Sequence, residues 1–556
     1  MPDHAGPPGT ATTGAAPGDG STGSRPAPRR WAVALSGLLA TAVALAVTEL
    51  GAGAVPGARS LVLAVGDAVV DSVPGWLERA AIATLGTADK PVLIGTVLLV
   101  CAVLGAVVGL LGRRHRTAAC LAIAAVAAVG VVASFADGRT NPLLAVVVGG
   151  LGAAAGIATL LVLLRAAPHT ADTHADADAA PATRAGSAGT PDAGTGEARG
   201  VQRRPFLQLV VVAAAVAAAG ATAGRWLTSP DRVEQIRAAL RLPAPAQPAP
   251  PVPADADLGI AGLTPLFVPN EDFYRIDTAL TIPQVDSTTW SLSIGGMVDR
   301  PYRLTYAELL AMPHLEADIT LACVSNQVGG QLVGNARWQG VPLRALLDRA
   351  GIQRGATQLL GRSVDGFTAG FPVRTALDVE DAMVAVAMNG EPLPARHGFP
   401  ARLVVPGLYG YVSATKWLTA IDLTTFEDEA GYWIPRGWAR EGPVKTQSRI
   451  DVPRATAPLS PGRQPIAGVA WAPTRGIEQV EVRVDDGPWQ SARLAAALDV
   501  DTWRQWVLEW DATPGRHTLS VRASDGTGET QTDQRTPVAP DGAAGRHTIQ
   551  VVVAEA

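Results

Sequence analysis

The sequence predicts a multi-domain chain with a helical transmembrane region, then an α+β domain, then an all-β sandwich. At 556 residues the chain is too long for one domain and can hold a membrane part plus two soluble domains. Hydrophobic residues make up 48% of the chain and charged residues only 17%, a balance typical of proteins with membrane spans. The apolar runs are confined to the first 225 residues, and short strand and helix patterns follow them.

The overall charge and the cysteine content exclude two classes of protein. A net charge of −5 at pH 7 offers no general attraction for phosphate backbones, so nucleic acid is not an expected partner. The 3 cysteines are too few for a disulfide framework. Cys101 and Cys120 lie in apolar runs, where inert packing is the usual role of a thiol.

The N-terminal half predicts a disordered start followed by membrane helices. Residues 1–28 are rich in Gly, Pro, Ala, Ser and Thr without periodicity, so we expect them to be disordered. Four spans are predicted within residues 29–165 and a fifth within 203–226. Each has close to the roughly 20 apolar residues that a helix needs to cross hydrocarbon, and the apolar runs are residues 31–48, 92–111, 118–135, 143–164 and 206–224.

Charged residues predict how these spans are oriented. Residues 58–81 carry 5 charged side chains among apolar ones, which favours an interfacial helix over a sixth span. Arginine clusters precede the first span, join the second to the third and precede the fifth, at Arg29, Arg30, Arg113, Arg114, Arg116, Arg203 and Arg204. All three clusters fall on one side if the spans alternate, which makes that side cytoplasmic. The chain is therefore predicted to be a multi-pass cell-membrane protein whose C-terminal half is extracytoplasmic.

The segment before the fifth span reads as a linker and a targeting signal. Residues 166–202 are of low complexity and predict a disordered cytoplasmic linker, although His169 and His174 with neighbouring aspartates could also hold a metal. The stretch "QRRPFLQLVVVAAAVAAAG" resembles a twin-arginine export signal. The same two arginines could be ordinary positive-inside anchors. Because the twin-arginine route exports folded proteins that often carry a cofactor, the resemblance predicts a cofactor.

The soluble part is predicted to begin after a spacer. Residues 227–257 read as an amphipathic segment and a proline-rich spacer, which at roughly 3 Å per residue would hold the next domain roughly 35 Å from the bilayer. Within residues 258–450, "WSLSIGGMV" and "ARLVVPG" read as strands, and "YAELLAM" and "PLRALLDRA" read as helices. These alternations predict the α+β domain.

Residues 451–556 predict strands only. "QVEVRVDDGPW" places Val480, Val482 and Val484 on one face of a strand before an Asp-Gly turn. "WVLEW" and "HTLSVRASDG" repeat the alternation, and the set is typical of an immunoglobulin-like sandwich.

The stretch "TLACVSNQVGG" contains Cys323, the only cysteine after the spans. As a hydrolytic nucleophile this thiol would need a base, which His314, His397, His517 or His547 could supply. As a zinc ligand it would need partners, and no Cys or His cluster accompanies it. A buried, inert thiol is the third alternative, and composition alone favours it.

The sequence segments around this cysteine resemble those of a known family. "CVSNQVGG", "GNARWQGVPLRALL", "VAMNGEPLPARHGFPARLVVPGLYGYVSATKWL" and "PVKTQSRID" resemble, in order and spacing, the sulfite-oxidase family of molybdenum enzymes. The resemblance covers about residues 258–556. It implies a molybdopterin-binding oxidoreductase domain at 258–450, and residues 451–556 resemble the family's dimerisation domain, which implies a homodimer.

The resemblance also implies site residues. In this family one protein cysteine and the two dithiolene sulfurs of a pterin cofactor hold molybdenum, so Cys323 is the expected metal ligand, as a thiolate. Gly329 and Gly330 would let the backbone approach the pterin. The other candidate cofactor-binding residues are Asn270, Ser325, Asn326, His397, Arg402, Ser413 and Lys416. Arg275 and Trp338 are expected to join Cys323 in catalysis.

The implied function is oxygen-atom transfer between molybdenum and a small-molecule donor or acceptor. No span contains a histidine for a haem ligand, so intrinsic haem is not expected and electrons would pass to a separate partner protein. Sulfite-oxidising members resemble one another in placing arginine soon after the ligand cysteine, whereas "VSNQVGG" is uncharged, so sulfite is not the expected substrate. Arg275 and Arg337 could supply that charge instead. The alternatives are a true sulfite oxidase or dehydrogenase and a non-catalytic, membrane-tethered binding module.

Overall fold

The structure is a computed structural model that describes residues 29–55, 58–74, 77, 84–85, 88–136, 141–168, 203–227, 230–454 and 458–555. The segment predicted to be disordered, 1–28, and most of the predicted linker, including His169 and His174, lie outside the described residues. The chain divides into two compact units, one of residues 1–48, 98–129 and 148–221, and one of residues 49–97, 130–147 and 222–556.

Seven helices are described before the soluble domains: α1 Arg30–Ala54, α2 Leu61–Ser72, α3 Asp89–Gly112, α4 Arg116–Ala136, α5 Pro142–Ala166, α6 Arg203–Leu227 and α7 Pro230–Ala239. All but α2 and α7 are long and apolar enough to cross a membrane, with mean hydropathy between 2.0 and 2.7 over their best windows. These five helices coincide with the five predicted spans. The prediction of N-terminal apolar helices is therefore confirmed, and their length and composition suggest membrane association.

Small residues determine the packing of the first unit. A Cβ atom on Gly37 of α1 would collide with the backbone of Gly105 and Gly109 in α3, so this helix contact requires glycine. The ring of Trp31 meets that of Phe206 edge to face at 5.9 Å.

The predicted interfacial segment contains a helix of 12 residues, α2, which is too short to span a bilayer. The side chain of Ser60 accepts a hydrogen bond from the Leu63 amide and caps its first turn. Gly66 faces Leu280 of the soluble part of the same unit so closely that a Cβ atom would press on the leucine side chain. The helix therefore packs against protein on this face.

Two sheets form the α+β domain. The first has the order β2-β1-β10-β5-β6, from Tyr302–Thr305, Ser291–Gly296, Leu418–Thr424, Gln358–Ser363 and Thr368–Pro372. The second has the order β3-β4-β7-β8, from Leu315–Ala322, Val333–Pro342, Met383–Met388 and Glu391–Pro392, and β9, Arg402–Val404, pairs with β7. Only the β1–β10 pair is parallel among the described strand pairs of these sheets.

Short helices join these strands: α8 Tyr306–Leu310, α9 Leu343–Ala350, α10 Val373–Asp378 and α11 Gly410–Ser413. Thr305 and Glu308 form a capping box on α8. Helix α9 buries its leucines between the sheets and stops at Gly351, whose φ is 72°. The two strands and two helices predicted from sequence in this domain are all present.

The C-terminal region has two antiparallel sheets of four strands each. One has the order β11-β12-β16-β15, from Gln447–Val452, Gly462–Trp471, Arg504–Ala512 and Arg493–Leu494. The other has the order β14-β13-β17-β18, from Gln490–Ser491, Ile477–Val484, Gly515–Asp525 and His547–Val553. Both sheets contribute to one apolar core, which contains the predicted inward residues Val480 and Val482. The predicted boundary at residue 450 falls inside β11, and the immunoglobulin-like topology remains a prediction.

The proline-rich spacer is not a free tether, and this part of the prediction was wrong. Its Gln247 forms a bridge with Leu315 of β3, and the Gln339 side chain donates to the Pro243 carbonyl over 2.7 Å. Ala256 is fully buried, and the Ala496 amide donates to the Asp255 carbonyl. Prolines lack an amide donor but keep a carbonyl acceptor, so this segment can bind along a sheet edge as well as extend into solvent.

Candidate active site

Cys323 lies directly after β3, where the buried strand runs into a tight loop. The Cys323 amide donates to the Leu332 carbonyl over 2.9 Å, which closes the loop at its base. Inside the loop, the side-chain oxygen of Asn326 accepts from the Leu332 amide at 2.9 Å, and the Ser325 amide points at the cysteine sulfur over 3.4 Å. The loop therefore presents one thiol in a fixed place.

A cavity of about 910 Å³, counting space open to solvent, surrounds this thiol. Burial raises the pKa of the Cys323 thiol, while the hydrogen bonds of Ser325 and the charge of Lys416 oppose that increase. The predicted site residues that line the cavity are Cys323, Ser325, His397, Arg402 and Lys416.

Arg402 brings a buried guanidinium to this cavity. The residue is 5% exposed, and its described hydrogen bonds go to the backbone carbonyls of Leu403 and His397. Burial lowers the pKa of Arg402 to about 10, so it stays charged at neutral pH. Within the described residues, no carboxylate forms an ion pair with it. A buried cation in this state is a favourable place for an anionic ligand.

Trp338 supports Arg402 and does not form the cavity wall. The Arg402 guanidinium lies over the Trp338 ring, 5.0 Å from its centre. Trp338 is fully buried in β4, and its Nε1–H donates to the Ile319 carbonyl over 3.2 Å. The predicted catalytic role of Trp338 therefore has no geometric support. The sequence could not show the direction of this side chain, because both faces of β4 are buried.

A second charge cluster centres on Asp277. Its carboxylate accepts hydrogen bonds from Lys416 at 2.8 Å and from Arg275 at 2.7 and 3.1 Å. Burial favours the neutral acid, but these cations outweigh it and hold the pKa of Asp277 below its usual range. Burial also lowers the pKa of Lys416 to about 8, although Asp277 opposes that decrease. The predicted substrate residue Arg275 is thus paired with a carboxylate that sequence reasoning missed.

His397 closes one side of the cavity as a neutral imidazole. Burial, reinforced by the charges of Arg402 and Lys416, lowers the pKa of His397 to about 3. Its Nε2 lies 2.7 Å from the backbone oxygen of Asn270, and donation from Nε2 leaves Nδ1 as an acceptor. Asn270 therefore acts here through its backbone, while its side chain bonds to Met388 and Asn389.

Three other predicted residues lie outside the cavity lining. Ser413 is buried and donates to the Tyr409 carbonyl over 3.1 Å, and Asn326 holds its own loop together. Arg337 donates two hydrogen bonds of 2.7 and 2.9 Å to the Asp318 carboxylate, so its charge is already paired on the sheet. Arg337 therefore does not replace a cationic residue missing from the cysteine loop.

Aromatic rings form much of the remaining lining, and sequence reasoning missed them. They include Tyr274, Phe367, Tyr411, Trp417, Trp433 and Trp438. Three of them form a chain of ring contacts, with Trp433 to Trp438 at 6.2 Å and Tyr411 to Trp438 at 5.9 Å. The dense run "YWIPRGW" was the available signal. These rings give the cavity a largely apolar wall.

The C-terminal sheets hold the cysteine loop from behind. Arg449 donates to the Gly330 carbonyl over 2.8 Å and binds Asp451 over 2.6 Å. A Cβ atom on Gly329, whose φ is 78°, would collide with the ring of His547, and one on Gly330 would collide with the Asn326 side chain. The two glycines are thus required by protein contacts, whereas the sequence predicted that they make room for a pterin.

Comparisons with known proteins indicate the family of this chain. A model of the oxidoreductase molybdopterin binding domain family matches residues 279–433. The uncharacterized oxidoreductase YuiH of Bacillus subtilis is 36% identical over 157 residues, which cover 28% of this chain and 76% of that protein. Human mitochondrial sulfite oxidase is 28% identical over 321 residues, which cover 49% of this chain and 58% of that protein.

A solved structure, that of the sulfane dehydrogenase SoxCD from Paracoccus pantotrophus, covers 53% of this chain and 85% of its own at a TM-score of 0.46 and 25% identity. The region that matches human sulfite oxidase spans 58% of the length of that protein.

Proposed function

Because the chain belongs to the sulfite-oxidase family of molybdopterin-dependent oxidoreductases, we propose that it catalyses oxygen-atom transfer at a molybdenum cofactor bound beside Cys323. The observation that carries the proposal is one fixed thiol in a cavity that also contains the buried guanidinium of Arg402. This combination suits a metal bound by one protein sulfur and an anionic organic group beside it.

The residues present fit the proposed cofactor. Cys323 is a soft ligand of the kind molybdenum–sulfur chemistry uses, and it needs no second protein sulfur if the pterin supplies the others. Arg402 and Lys416 offer charge-assisted donors to the phosphate of the cofactor. The neutral His397 offers an acceptor at Nδ1, which suits the N–H edge of a pterin ring.

The roles of the chain's own residues follow from this arrangement. When bound, the cofactor would supply the two-electron centre at which an oxygen atom moves to or from the substrate. Cys323 would bind the metal as a thiolate, which the Ser325 amide favours by donating to the sulfur. The aromatic wall of Tyr411, Trp433 and Trp438 would exclude water and keep the local dielectric constant low.

We propose that the substrate is neutral or weakly charged, such as an S-oxide or an N-oxide. Two of the cations nearest the cavity, Arg275 and Lys416, are already bound to the Asp277 carboxylate. Asp277 itself lines the cavity and offsets part of their charge, so they attract a dianion such as sulfite less than unpaired cations would. The largely aromatic wall also favours an apolar substituent on the substrate.

Sulfite is therefore expected to be a poor substrate. Purified, molybdenum-replete protein should oxidise sulfite with a kcat/KM below roughly 10⁵ M⁻¹s⁻¹, the range of ordinary enzymes on their own substrates. Steady-state assays compare sulfite oxidation, with an artificial electron acceptor, with the reduction of dimethyl sulfoxide and trimethylamine N-oxide, with an artificial electron donor. A sulfite value above that limit would mean that the protein is a true sulfite oxidase or dehydrogenase.

We propose that the catalytic domain lies on the extracytoplasmic side of the cell membrane and that the five apolar helices lie in the lipid. This location is supported by the three arginine clusters, which share one side if the five helices span in alternation. Electrons would pass to a separate partner, and the C-terminal sheets are the proposed surface for a homodimer.

Exchanging Arg203 and Arg204 for lysines tests the export signal. If the pair is a twin-arginine signal, the double variant should leave the catalytic domain in the cytoplasm while the first four apolar helices still insert. Lysines preserve the positive charge, so a topological anchor would be unaffected. Protease accessibility in spheroplasts measures the exposed domain, and unchanged exposure would show that the pair is only an anchor.

A further inference from the structure

The chain uses lysine very sparingly, and its lysines have unusual positions. It contains 42 arginines but only 3 lysines: Lys90, Lys416 and Lys445. Two of the three, Lys90 and Lys416, bind the same carboxylate, that of Asp277. Arginine presents a planar fork of donors, whereas lysine presents a compact charge with three donors. Both positions thus have the residue type that suits several acceptors around one point.

Lys90 lies in the first turn of α3, one of the five apolar helices. Its Nζ donates to the Asp277 carboxylate over 3.1 Å, to the Asp277 carbonyl over 2.9 Å and to the Ala279 carbonyl over 2.7 Å. The three acceptors match the three donors of an ammonium group. The ammonium group therefore fixes both the side chain and the backbone of residues 277–279.

That backbone is part of the cavity wall. Ile276, Asp277 and Thr278 all line the cavity. Lys90 itself is not among the described residues that line the cavity, so it acts on the cavity only through Asp277 and its neighbours. The Asp277 side chain is 4% exposed and the Lys90 side chain 27%, so the carboxylate is shielded from solvent while the lysine is partly accessible.

A second contact comes from α2 and reaches residues beside the cavity lining. Asp71 of α2 accepts hydrogen bonds from Arg436 at 2.7 Å and from the Tyr432 hydroxyl at 3.1 Å. Tyr432 meets the ring of Trp433, a lining residue, edge to face at 5.1 Å. Asp71 thus contacts residues beside the cavity lining, and the contact of Lys90 with Asp277 is the less exposed of the two.

We propose that Lys90 is a positioning residue of the active site, through which a candidate membrane helix fixes the cavity wall at residues 276–279. The N-terminal end of α3 then supports the cavity wall from outside the cavity. This inference rests on the proposed function for the cavity. Since the wall holds the ligand equally in the ground state and the transition state, Lys90 contributes to substrate affinity more than to turnover.

The test uses full-length holoprotein purified from membranes, with three variants. Lys90→Met removes the charge and the donors, Lys90→Arg keeps the charge, and Lys445→Met is the matched control. Lys445 also binds a carboxylate and a backbone carbonyl, Asp541 at 3.0 Å and Gly542 at 2.7 Å, in the C-terminal region. Hydrogen exchange of residues 274–281 is measured together with kcat and KM for sulfite and dimethyl sulfoxide.

Lys90→Met should speed exchange at residues 276–280 about tenfold, the effect of losing charge-assisted hydrogen bonds at a partly exposed site. KM should rise about tenfold with kcat within about twofold, Lys90→Arg should be intermediate, and Lys445→Met should change neither. Unchanged exchange at residues 276–280, or a fall in kcat alone, would overturn the proposal. Wild-type protein that turned over neither probe would count against the proposed function, and exchange would then decide the role of Lys90 by itself.

Discussion

Replacing Cys323 with serine is expected to abolish oxygen-atom transfer, lowering kcat at least about 10³-fold, or roughly 4 kcal/mol of transition-state stabilisation. Serine keeps the shape of the side chain but offers a hard, protonated oxygen in place of a soft thiolate. The loop is closed by backbone and Asn326 contacts, which the substitution does not touch. Thermal unfolding should therefore change little while activity disappears.

The chain provides its own controls for this experiment. Cys101 and Cys120 lie in the apolar helices α3 and α4 and are both partly exposed. Their serine variants should keep full activity when reconstituted in the same lipid. Full activity in Cys323→Ser would remove the assignment of the metal ligand, and equal losses in all three variants would point to a general effect of thiol replacement.

Replacing Arg402 with methionine is expected to lower the molybdenum and pterin content at least about tenfold, because charge-assisted hydrogen bonds to a buried anion are worth roughly 1.5–3 kcal/mol. The thermal stability of the cofactor-free protein, in contrast, should not decrease. Arg402 is a buried charge without a described carboxylate partner, and replacing such a charge by an apolar side chain of similar length is neutral or stabilising. The midpoint of thermal unfolding of the apoprotein should therefore stay the same or rise.

Arg362→Met is the control for Arg402→Met. Arg362 is paired with Asp422 and Glu429 on the first sheet and does not itself line the cavity. This variant should retain the cofactor. If Arg402→Met kept its cofactor, or if its apoprotein unfolded at a clearly lower temperature, Arg402 would be a structural residue and not an anion-binding one.

The parts of the protein that sequence predicted well are those that local pattern determines. Apolar length sets the five helices, and alternation places Val480 and Val482 inward whatever else the chain does. The Cys323 motif is also local, and the cavity does form around this residue. For Trp338 the local pattern did not show the direction of the side chain, which lies outside the cavity lining.

The parts that sequence missed depend on contacts between distant segments. Asp277 meets Lys416, 139 residues away, and Lys90, 187 residues away, and nothing near any of the three indicates the others. Proline-rich composition indicates a stiff, extended segment, and it therefore predicts a spacer. Composition does not show that β3 offers an edge on which the segment can bind. Both features follow from the folded arrangement and not from local composition.

Elemental and pterin analysis of wild-type protein, purified from a host that makes the cofactor, tests directly whether the cavity around Cys323 holds a molybdenum–pterin cofactor. Mass spectrometry for molybdenum, together with fluorescence of the oxidised pterin, gives the content per chain. We expect stoichiometric molybdenum and pterin in the wild type and a strongly reduced content of both in Arg402→Met. Folded, fully matured wild-type protein without molybdenum and pterin would contradict the claim and favour a non-catalytic binding module.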